Sequence, residues 1–280
     1  MRIDIHYNCS YRYEQIVGFS PHYFRLFPRM TSGITINERN FQTNEGAVVN
    51  FRRDLFDNEV ARCFYPQKAE ELAARLCLKL QIEERNAYDF LLEPRAFKYP
   101  FLLEKREQVA LSKYIETEFN VLSVGFWKPS YDETMDLVVS LNQALHAHIA
   151  YERRDEGEAW APEETLRQGK GSCRDVAVLC AEILRSCGIA SRLVSGYIIE
   201  DDVKAKDRRA AGAMHAWVEA YLPGAGWLGM DPTNGYLCNH LHIPTAVGIT
   251  PEDVTPVSGR IAADQLPPGS LVMELDIEVS

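Results

Sequence analysis

Residues 169–188 constrain the fold more than any other stretch, because they join a glycine-containing loop to a helix with one apolar side. Ser172 and Asp175 have the spacing of a capping box, in which two side chains satisfy unpaired backbone N–H groups at a helix start. Apolar residues then recur at helical intervals until Gly188 ends the run, namely Val176, Leu179, Cys180, Ile183, Leu184 and Cys187. The pattern predicts a helix that begins at Cys173.

The predicted helix start determines the chemistry available to Cys173. The first N–H groups of a helix have no partner within the helix, and the helix dipole places partial positive charge there. Both effects favour an anion and lower the pKa of a thiol, and the thiolate is the nucleophilic form. A cysteine in this position can equally be a small, half-buried packing residue. The helix start alone leaves both interpretations open.

A predicted hairpin further along the chain supplies two more polar groups. Residues 213–221 and 226–235 have strand-like composition, and residues 222–225 form the turn between them. Because strands joined by a short turn pair antiparallel, His215 and Asp231 are expected to lie roughly abreast. A carboxylate beside an imidazole fixes its tautomer and stabilises the imidazolium, which is what a thiol needs from its base. The hairpin therefore predicts a His–Asp pair.

The chain divides into two parts by the kind of pattern that each carries. Residues 1–92 contain short alternating segments separated by turn residues, which predict an N-terminal β-sandwich domain. Prolines interrupt residues 83–104, so the second domain is expected to span residues 93–280. This domain contains a predicted amphipathic helix over 132–149 and ends in an alternating strand pattern over 271–279. The sheet that this last strand joins stays open.

Composition narrows the class of partner and the compartment. A net charge of -10 over 280 residues argues against nucleic acid as the main partner. No apolar run is long enough to span a bilayer, and the N-terminus lacks the apolar stretch of a signal peptide. We therefore expect no membrane partner and a cytoplasmic protein. The seven cysteines are odd in number and include no CxxC pair, which is typical of reduced thiols.

Three motifs occur in order along the second domain. They are Gly-Ser-Cys-Arg-Asp at 171–175, His-Ala-Trp at 215–217 and Asp-Pro-Thr-Asn at 231–234. This ordered set resembles the transglutaminase-like branch of the papain-type thiol enzymes. The β-rich N-terminal region is similar to that of bacterial transglutaminase-like proteins, which carry a β-sandwich ahead of the catalytic domain. The resemblance implies an α+β fold whose cysteine-enzyme core combines a helical part with an antiparallel sheet.

The resemblance also implies roles for individual residues. Cys173 would be the nucleophile, His215 the general acid/base and Asp231 the orienting carboxylate. The thiolate would attack a carboxamide or peptide carbonyl of a peptide or protein substrate, and the acyl group would pass to water or to another amine. The backbone N–H of Cys173 is the natural first donor to the oxyanion. Further cleft or oxyanion candidates are Trp217, Gln168, Gln143, Tyr151 and Trp160.

Several alternatives stay open at this point. Cys173, His215 and Asp231 are all zinc-ligand types, but no clustered Cys or His pairs accompany them. No acidic loop has calcium-ligand spacing, so we expect action without a metal or other cofactor. The alternative to an enzyme is a catalytically weak or inactive module that binds peptides through the same cleft. The sequence does not distinguish hydrolysis from transamidation, and it leaves the oligomeric state open.

Overall fold

The computed structural model of the chain describes residues 1–129, 132–154, 157–199, 214–262 and 269–279. Two short 3-10 helices lie at Pro94–Ala96 and Val121–Ser123. The α-helices are α1 (Lys105–Ile115), α2 (Thr134–His148), α3 (Pro162–Gln168), α4 (Cys173–Ser186) and α5 (Pro251–Val254). The strands are β1 (Arg2–Phe19), β2 (His22–Phe24), β3 (Ile34–Thr43), β4 (Val48–Arg53), β5 (Glu59–Phe64), β6 (Ala69–Ile82), β7 (Ala150–Tyr151), β8 (Lys170–Gly171), β9 (Ser191–Ile198), β10 (His215–Leu222), β11 (Gly226–Asp231), β12 (Tyr236–Leu237), β13 (His242–Gly248), β14 (Val257–Ser258), β15 (Ile261–Ala262) and β16 (Gly269–Val279).

The N-terminal strands form where buried and exposed residues alternate. In β6, Leu76, Leu78 and Leu80 are buried, whereas the residues between them face solvent. A period of two matches a pleated strand with one buried face and excludes a helix, whose buried side repeats every three to four residues. β6 is therefore one of the strands that the alternating pattern of residues 1–92 predicts.

Two antiparallel sheets make up the N-terminal region. The first has the strand order β15-β1-β6-β3, with β16 also paired to β1, and the second has the order β14-β2-β5-β4. The two sheets share one buried cluster, to which β1 contributes Ile3 and Ile5, β2 contributes Phe24, and β5 contributes Cys63. The arrangement confirms the predicted β-rich N-terminal region and the α+β fold class.

The C-terminal strand belongs to the N-terminal sheet. β16 pairs antiparallel with β1 from Ile3 opposite Val279 to Tyr13 opposite Gly269. Leu275 and Ile277 pack against the N-terminal buried cluster. The sequence grouped this strand with residues 93–280 but left open which sheet it joins, and in the structure it pairs with β1 of the N-terminal sheet. Alternation shows that a strand has a buried face, but it cannot show which sheet edge the strand will pair with.

A second five-stranded sheet, with the order β12-β11-β10-β9-β13, carries the helical part of the protein on one face. α4 packs its apolar side on this sheet, where Leu179 and Ile183 share a buried cluster with Val218 and Ala220 of β10. α2 joins the same cluster through Leu141 and other apolar residues. The helix that begins with Cys173 is thus held directly against the strand that begins with His215.

The opposite face of this sheet packs on the N-terminal region. Tyr197 and Ile243 belong to the N-terminal buried cluster, and the Tyr197 hydroxyl donates to the carbonyl oxygen of Leu26 at 2.8 Å. Asn58 hydrogen-bonds the backbone N–H and carbonyl of Val247, each at 2.8 Å. The two regions therefore share a core. Within the described ranges, no helix is long and apolar enough to cross a membrane.

Candidate active site

The capping box predicted for α4 is present at its N-terminus. Ser172 donates to Oδ2 of Asp175 from both its backbone N–H and its hydroxyl, each at 2.7 Å. Asp175 is fully buried and also accepts from Nη1 of Arg154 at 2.7 Å and from the backbone N–H of Trp160 at 2.8 Å. Burial raises the pKa of Asp175, but these hydrogen bonds outweigh burial and hold the pKa below its usual value. Asp175 therefore caps the helix and ties the preceding loop to the start of α4.

Two aromatic residues of that loop lie close to Cys173. β7 and β8 pair in parallel, with Tyr151 opposite Gly171, two residues before the thiol. The guanidinium of Arg154 lies 4.0 Å from the ring centroid of Trp160, a cation–π contact that holds the indole beside the capping carboxylate. Both aromatics are half-buried. Their role as cleft residues stays a prediction.

The predicted hairpin brings His215 and Asp231 together. β10 and β11 pair antiparallel, with Val218 opposite Met230. This register places the start of β10 beside the end of β11, so that Nε2 of His215 donates to Oδ2 of Asp231 at 2.9 Å. Both side chains are almost completely buried. The expectation that these two residues lie abreast is confirmed.

The remaining ring nitrogen of His215 is available to the thiol. Nδ1 is buried and has no nitrogen or oxygen partner among the described residues. The Cys173 thiol is close enough to the His215 side chain for each group to shift the pKa of the other. Because Nε2 is committed to Asp231, Nδ1 is the atom that can exchange a proton with Sγ of Cys173.

The pKa shifts of the three groups favour a thiolate–imidazolium pair. Burial opposes ionisation of Cys173, but its interaction with His215 and a hydrogen bond from the Ala216 backbone N–H lower the pKa of the thiol. Burial likewise opposes the imidazolium, but the negative charge of Asp231 and its hydrogen bond raise the pKa of His215 to about 10. The same interaction holds the pKa of the Asp231 carboxyl far below its usual range, despite burial. Proton transfer from thiol to imidazole is therefore favoured before any substrate binds.

The Asp231 carboxylate is held by more groups than the sequence suggested. Oδ1 accepts from the backbone N–H groups of Thr233 and Asn234, each at 3.1 Å. Oδ2 accepts from Nδ2 of Asn234 at 2.8 Å and from Nε2 of His242 at 3.2 Å, in addition to His215. The carboxylate is thereby fixed in position and its charge is stabilised without exposure to water.

Sequence reasoning missed both side-chain donors. Asn234 is the last residue of the Asp-Pro-Thr-Asn motif, and its distance of three residues from a carboxylate was a usable signal for a local turn. His242 had no such signal. It is the first residue of β13. This strand pairs with β9, the neighbour of β10 in the sheet, and the pairing brings His242 to the site.

Trp217 lies behind the two imidazoles and not at the open surface. Its ring stacks on His215 with centroids 6.2 Å apart and meets His242 edge-on at 5.4 Å. A Cβ on Gly196 would lie 2.6 Å from the Trp217 ring and 2.1 Å from the carbonyl oxygen of Ile243, so this position requires glycine. Trp217 thus packs against the imidazoles from inside the protein. It does not lie at the open surface, where a wall of the cleft was expected.

Neither glutamine that the sequence suggested is held toward the thiol. Gln168 is exposed at the end of α3, and its side-chain amide donates to Oε1 of Glu164 at 2.7 Å. Gln143 is exposed on α2, whereas its neighbour Asn142 is buried. A helix turns adjacent residues to different sides, and the sequence pattern could not show that the inward side chain was the asparagine. The identity of the second oxyanion donor therefore stays open.

The polar atoms of the site face one another as hydrogen-bond partners. Within the described parts of the chain, no group of three or more His, Cys, Asp and Glu side chains is placed to hold a metal ion. His215 and Asp231 point their polar atoms at each other, at hydrogen-bond distance. The zinc alternative gains no support from this geometry.

Comparison with known proteins agrees with the fold. A Cytophaga hutchinsonii protein, named provisionally as a cysteine protease, has a solved structure that matches 99% of this chain and 90% of its own, with a TM-score of 0.66 and 16% identity. The uncharacterized protein ML0607 of Mycobacterium leprae is 31% identical over 155 residues, which are 54% of this chain and 55% of that protein. The uncharacterized protein Rv2569c of Mycobacterium tuberculosis is 38% identical over 103 residues, 35% of this chain and 33% of that protein. The chain thus spans about half or less of the length of these curated relatives.

Two family models match separate parts of the chain. Residues 3–80 match the bacterial transglutaminase-like N-terminal region, and they include most of the first sheet. Residues 125–232 match the transglutaminase-like superfamily, and they include Cys173, His215 and Asp231. Together the two matches take in more than half of the chain, and we conclude that this protein belongs to the transglutaminase-like superfamily and carries its bacterial N-terminal region.

Proposed function

We propose that the protein is a thiol acyl-transfer enzyme that attacks peptide or glutamine-type amide carbonyls through Cys173, His215 and Asp231. The observation that carries the proposal is the buried hydrogen bond of 2.9 Å between His215 and Asp231, beside a thiol at a helix start. A buried imidazole with a carboxylate on one nitrogen is a base for a thiol on the other. A residue that served packing alone would not need this buried charge.

The first half of the reaction forms an acyl-enzyme. Sγ of Cys173 forms a bond to the carbonyl carbon, and the electron pair of the C=O π bond moves to the oxygen. The tetrahedral intermediate then collapses, the C–N bond breaks, and the imidazolium of His215 gives its Nδ1 proton to the departing amine or ammonia. A thioester on Cys173 and a neutral imidazole remain.

The second half restores the enzyme. Water or an amine attacks the thioester carbon and gives a proton to Nδ1 of His215, and the C–S bond breaks to release the thiolate. The thiolate and imidazolium are then paired again. The backbone N–H of Cys173 stands at the first position of α4, where a helix offers donors to a developing oxyanion. Tyr151 remains a candidate for further contacts in the cleft.

Peptide hydrolysis is the first reaction to test. The Cytophaga hutchinsonii protein of similar fold is named provisionally as a cysteine protease, and water is the simplest acyl acceptor. Release of ammonia from glutaminyl peptides, with and without an added primary amine, would distinguish hydrolysis from transamidation. We also propose a cytoplasmic location, because all seven cysteines are free thiols in the structure, which is typical of proteins in a reducing compartment.

The decisive experiment compares the reactivity of individual cysteines. We would follow alkylation by iodoacetamide against pH by mass spectrometry, in the wild type and in His215→Ala. Cys77 is exposed and provides the internal reference for an accessible thiol. We expect Cys173 to react well below the ordinary thiol pKa of about 8.5 and to lose this advantage in His215→Ala.

A matched pair of variants connects reactivity with turnover. Cys173→Ala should abolish release of amine or ammonia from peptide substrates, whereas Cys77→Ala should leave it unchanged. If wild-type Cys173 is no more reactive than Cys77, the acyl-transfer proposal fails. Peptide binding without turnover would then favour the alternative, an inactive binding module that uses the same cleft.

A further inference from the structure

His242 lies outside the three expected catalytic residues and yet contacts their carboxylate. It is 6% exposed, and its Nε2 is 3.2 Å from Oδ2 of Asp231. The backbone N–H of Asn239 donates to its Nδ1 at 3.4 Å. An imidazole that accepts at Nδ1 carries its proton on Nε2 when neutral, so His242 is a donor to Asp231.

The surrounding structure holds His242 in this role. The backbone N–H of His242 donates to the carbonyl of Asn239 at 3.0 Å, which closes a short turn immediately before β13. The imidazole is packed edge-on against Trp217 at 5.4 Å and Tyr236 at 5.8 Å. Trp217 also stacks on His215, so one indole positions both imidazoles around a single carboxylate oxygen.

We propose that His242 is a positioning residue that holds Asp231 in place and directed at His215, so that four residues act together at the site. This inference rests on the proposed function, since it assigns His242 a role in forming the thiolate of Cys173. A buried carboxylate is costly unless donors surround it. Removing one donor leaves the carboxylate less firmly held, so that it can rotate away from Nε2 of His215. The imidazolium of His215 then loses part of its stabilisation, and a smaller fraction of Cys173 is thiolate.

Two substitutions separate donation from packing. His242→Phe keeps a planar ring between Trp217 and Tyr236 but removes the donor. His242→Gln replaces the ring with a side-chain amide whose N–H can reach the Oδ2 position. We expect His242→Phe to lower the alkylation rate of Cys173 at acidic pH by about tenfold, the effect of one hydrogen bond to a charged group, and His242→Gln to restore most of it. For peptide turnover, kcat should fall and KM should change little.

The matched control is His22→Phe. His22 is also a buried histidine, 5% exposed and packed against the rings of Phe19 and Tyr65, but it lies in the N-terminal region. It should leave the alkylation profile of Cys173 unchanged. A loss in His242→Gln without a loss in His242→Phe would show that His242 only packs, and no loss in either would show that the donor is not needed. Both outcomes overturn the proposal.

A measurement on the wild type avoids dependence on variants that fail to fold. In the histidine-labelled protein, long-range 1H–15N correlations report the tautomer of each imidazole. We expect the neutral Nε2–H form for His242, and the Nδ1–H form would overturn its assignment as donor. Failure of the proposed function has a different signature, because wild-type Cys173 would then react no faster than Cys77 and His242 would have no thiolate to support.

Discussion

Replacing Asp231 with asparagine tests the electrostatics of the site with almost no change in volume. The carboxylate accepts hydrogen bonds from the side chains of His215, His242 and Asn234 and from the backbone of Thr233 and Asn234. An amide has one oxygen, so its NH₂ group must face some of these donors. If the oxygen keeps the two backbone N–H groups, the NH₂ group faces both imidazoles.

The expected consequence is the wrong tautomer of His215. With an N–H group opposite Nε2, the ring lowers its energy by accepting there, and its proton moves to Nδ1. Nδ1 is then no longer a base for the thiol of Cys173. The corresponding substitution in serine proteases lowers kcat by about 10⁴-fold, and we expect Asp231→Asn to lower amide turnover by a factor of about 10³ to 10⁴.

Stability should fall as well, because a polar group is left unsatisfied inside the protein. One buried donor without an acceptor costs about 1–3 kcal/mol, and we expect a decrease of this size in the free energy of unfolding. Urea titrations would measure the decrease, and peptide turnover with cysteine-resolved alkylation would measure the chemistry. Asp253→Asn is the matched control, since Asp253 caps α5 by accepting from Thr250 and Ile249 away from the thiol. Turnover of Asp231→Asn within about threefold of that control would refute the tautomer argument.

Three further predictions concern packing and pH. Gly196→Ala should lower the free energy of unfolding by about 1–3 kcal/mol and slow alkylation of Cys173, because its Cβ would meet the Trp217 ring at 2.6 Å. His215 has a raised pKa of about 10, so its contribution to stability is complete below its unfolded value of about 6.5 and is lost as pH rises through 10. The stability difference between wild type and His215→Ala should therefore shrink between these values. Arg95 lowers the pKa of Glu107 to about 2 through two hydrogen bonds of 2.8 Å. Arg95→Met should therefore destabilise the protein by about 1–2 kcal/mol above pH 5. The difference in stability between the wild type and this variant should fade as the pH approaches 2, because Glu107 is then protonated in both.

Each of these predictions has its own control and its own contrary result. Gly125→Ala places a Cβ in open space and should be neutral, so equal effects at both glycines would refute the packing argument. A stability difference for His215→Ala that grows above pH 7 would reverse the sign of the linkage. Glu252 is exposed, and Glu252→Gln, the control for Arg95→Met, should change the free energy of unfolding by less than about 0.5 kcal/mol. Circular dichroism melts across pH would supply the measurements for both pH arguments.

The sequence by itself determined those structural features that form between residues close together in the chain. The α4 capping box joins Ser172 to Asp175, and the β10–β11 hairpin joins His215 to Asp231 through one short turn. Such features form from hydrogen bonds between residues close in the chain, so composition and spacing are enough to predict them. The alternation of apolar and polar residues in β6 is likewise a local pattern, and it indicates a strand.

Only the tertiary structure decided which distant segments meet. β16 pairs with β1 from the other end of the chain, and β13 pairs with β9, which brings His242 to Asp231. The structure also turned Gln168 toward Glu164 and placed Trp217 behind the imidazoles. These outcomes depend on which sheet edge and which apolar surface each segment covers. A local pattern shows that a strand or helix has a buried face, but the partner of that face is chosen by packing across the whole chain.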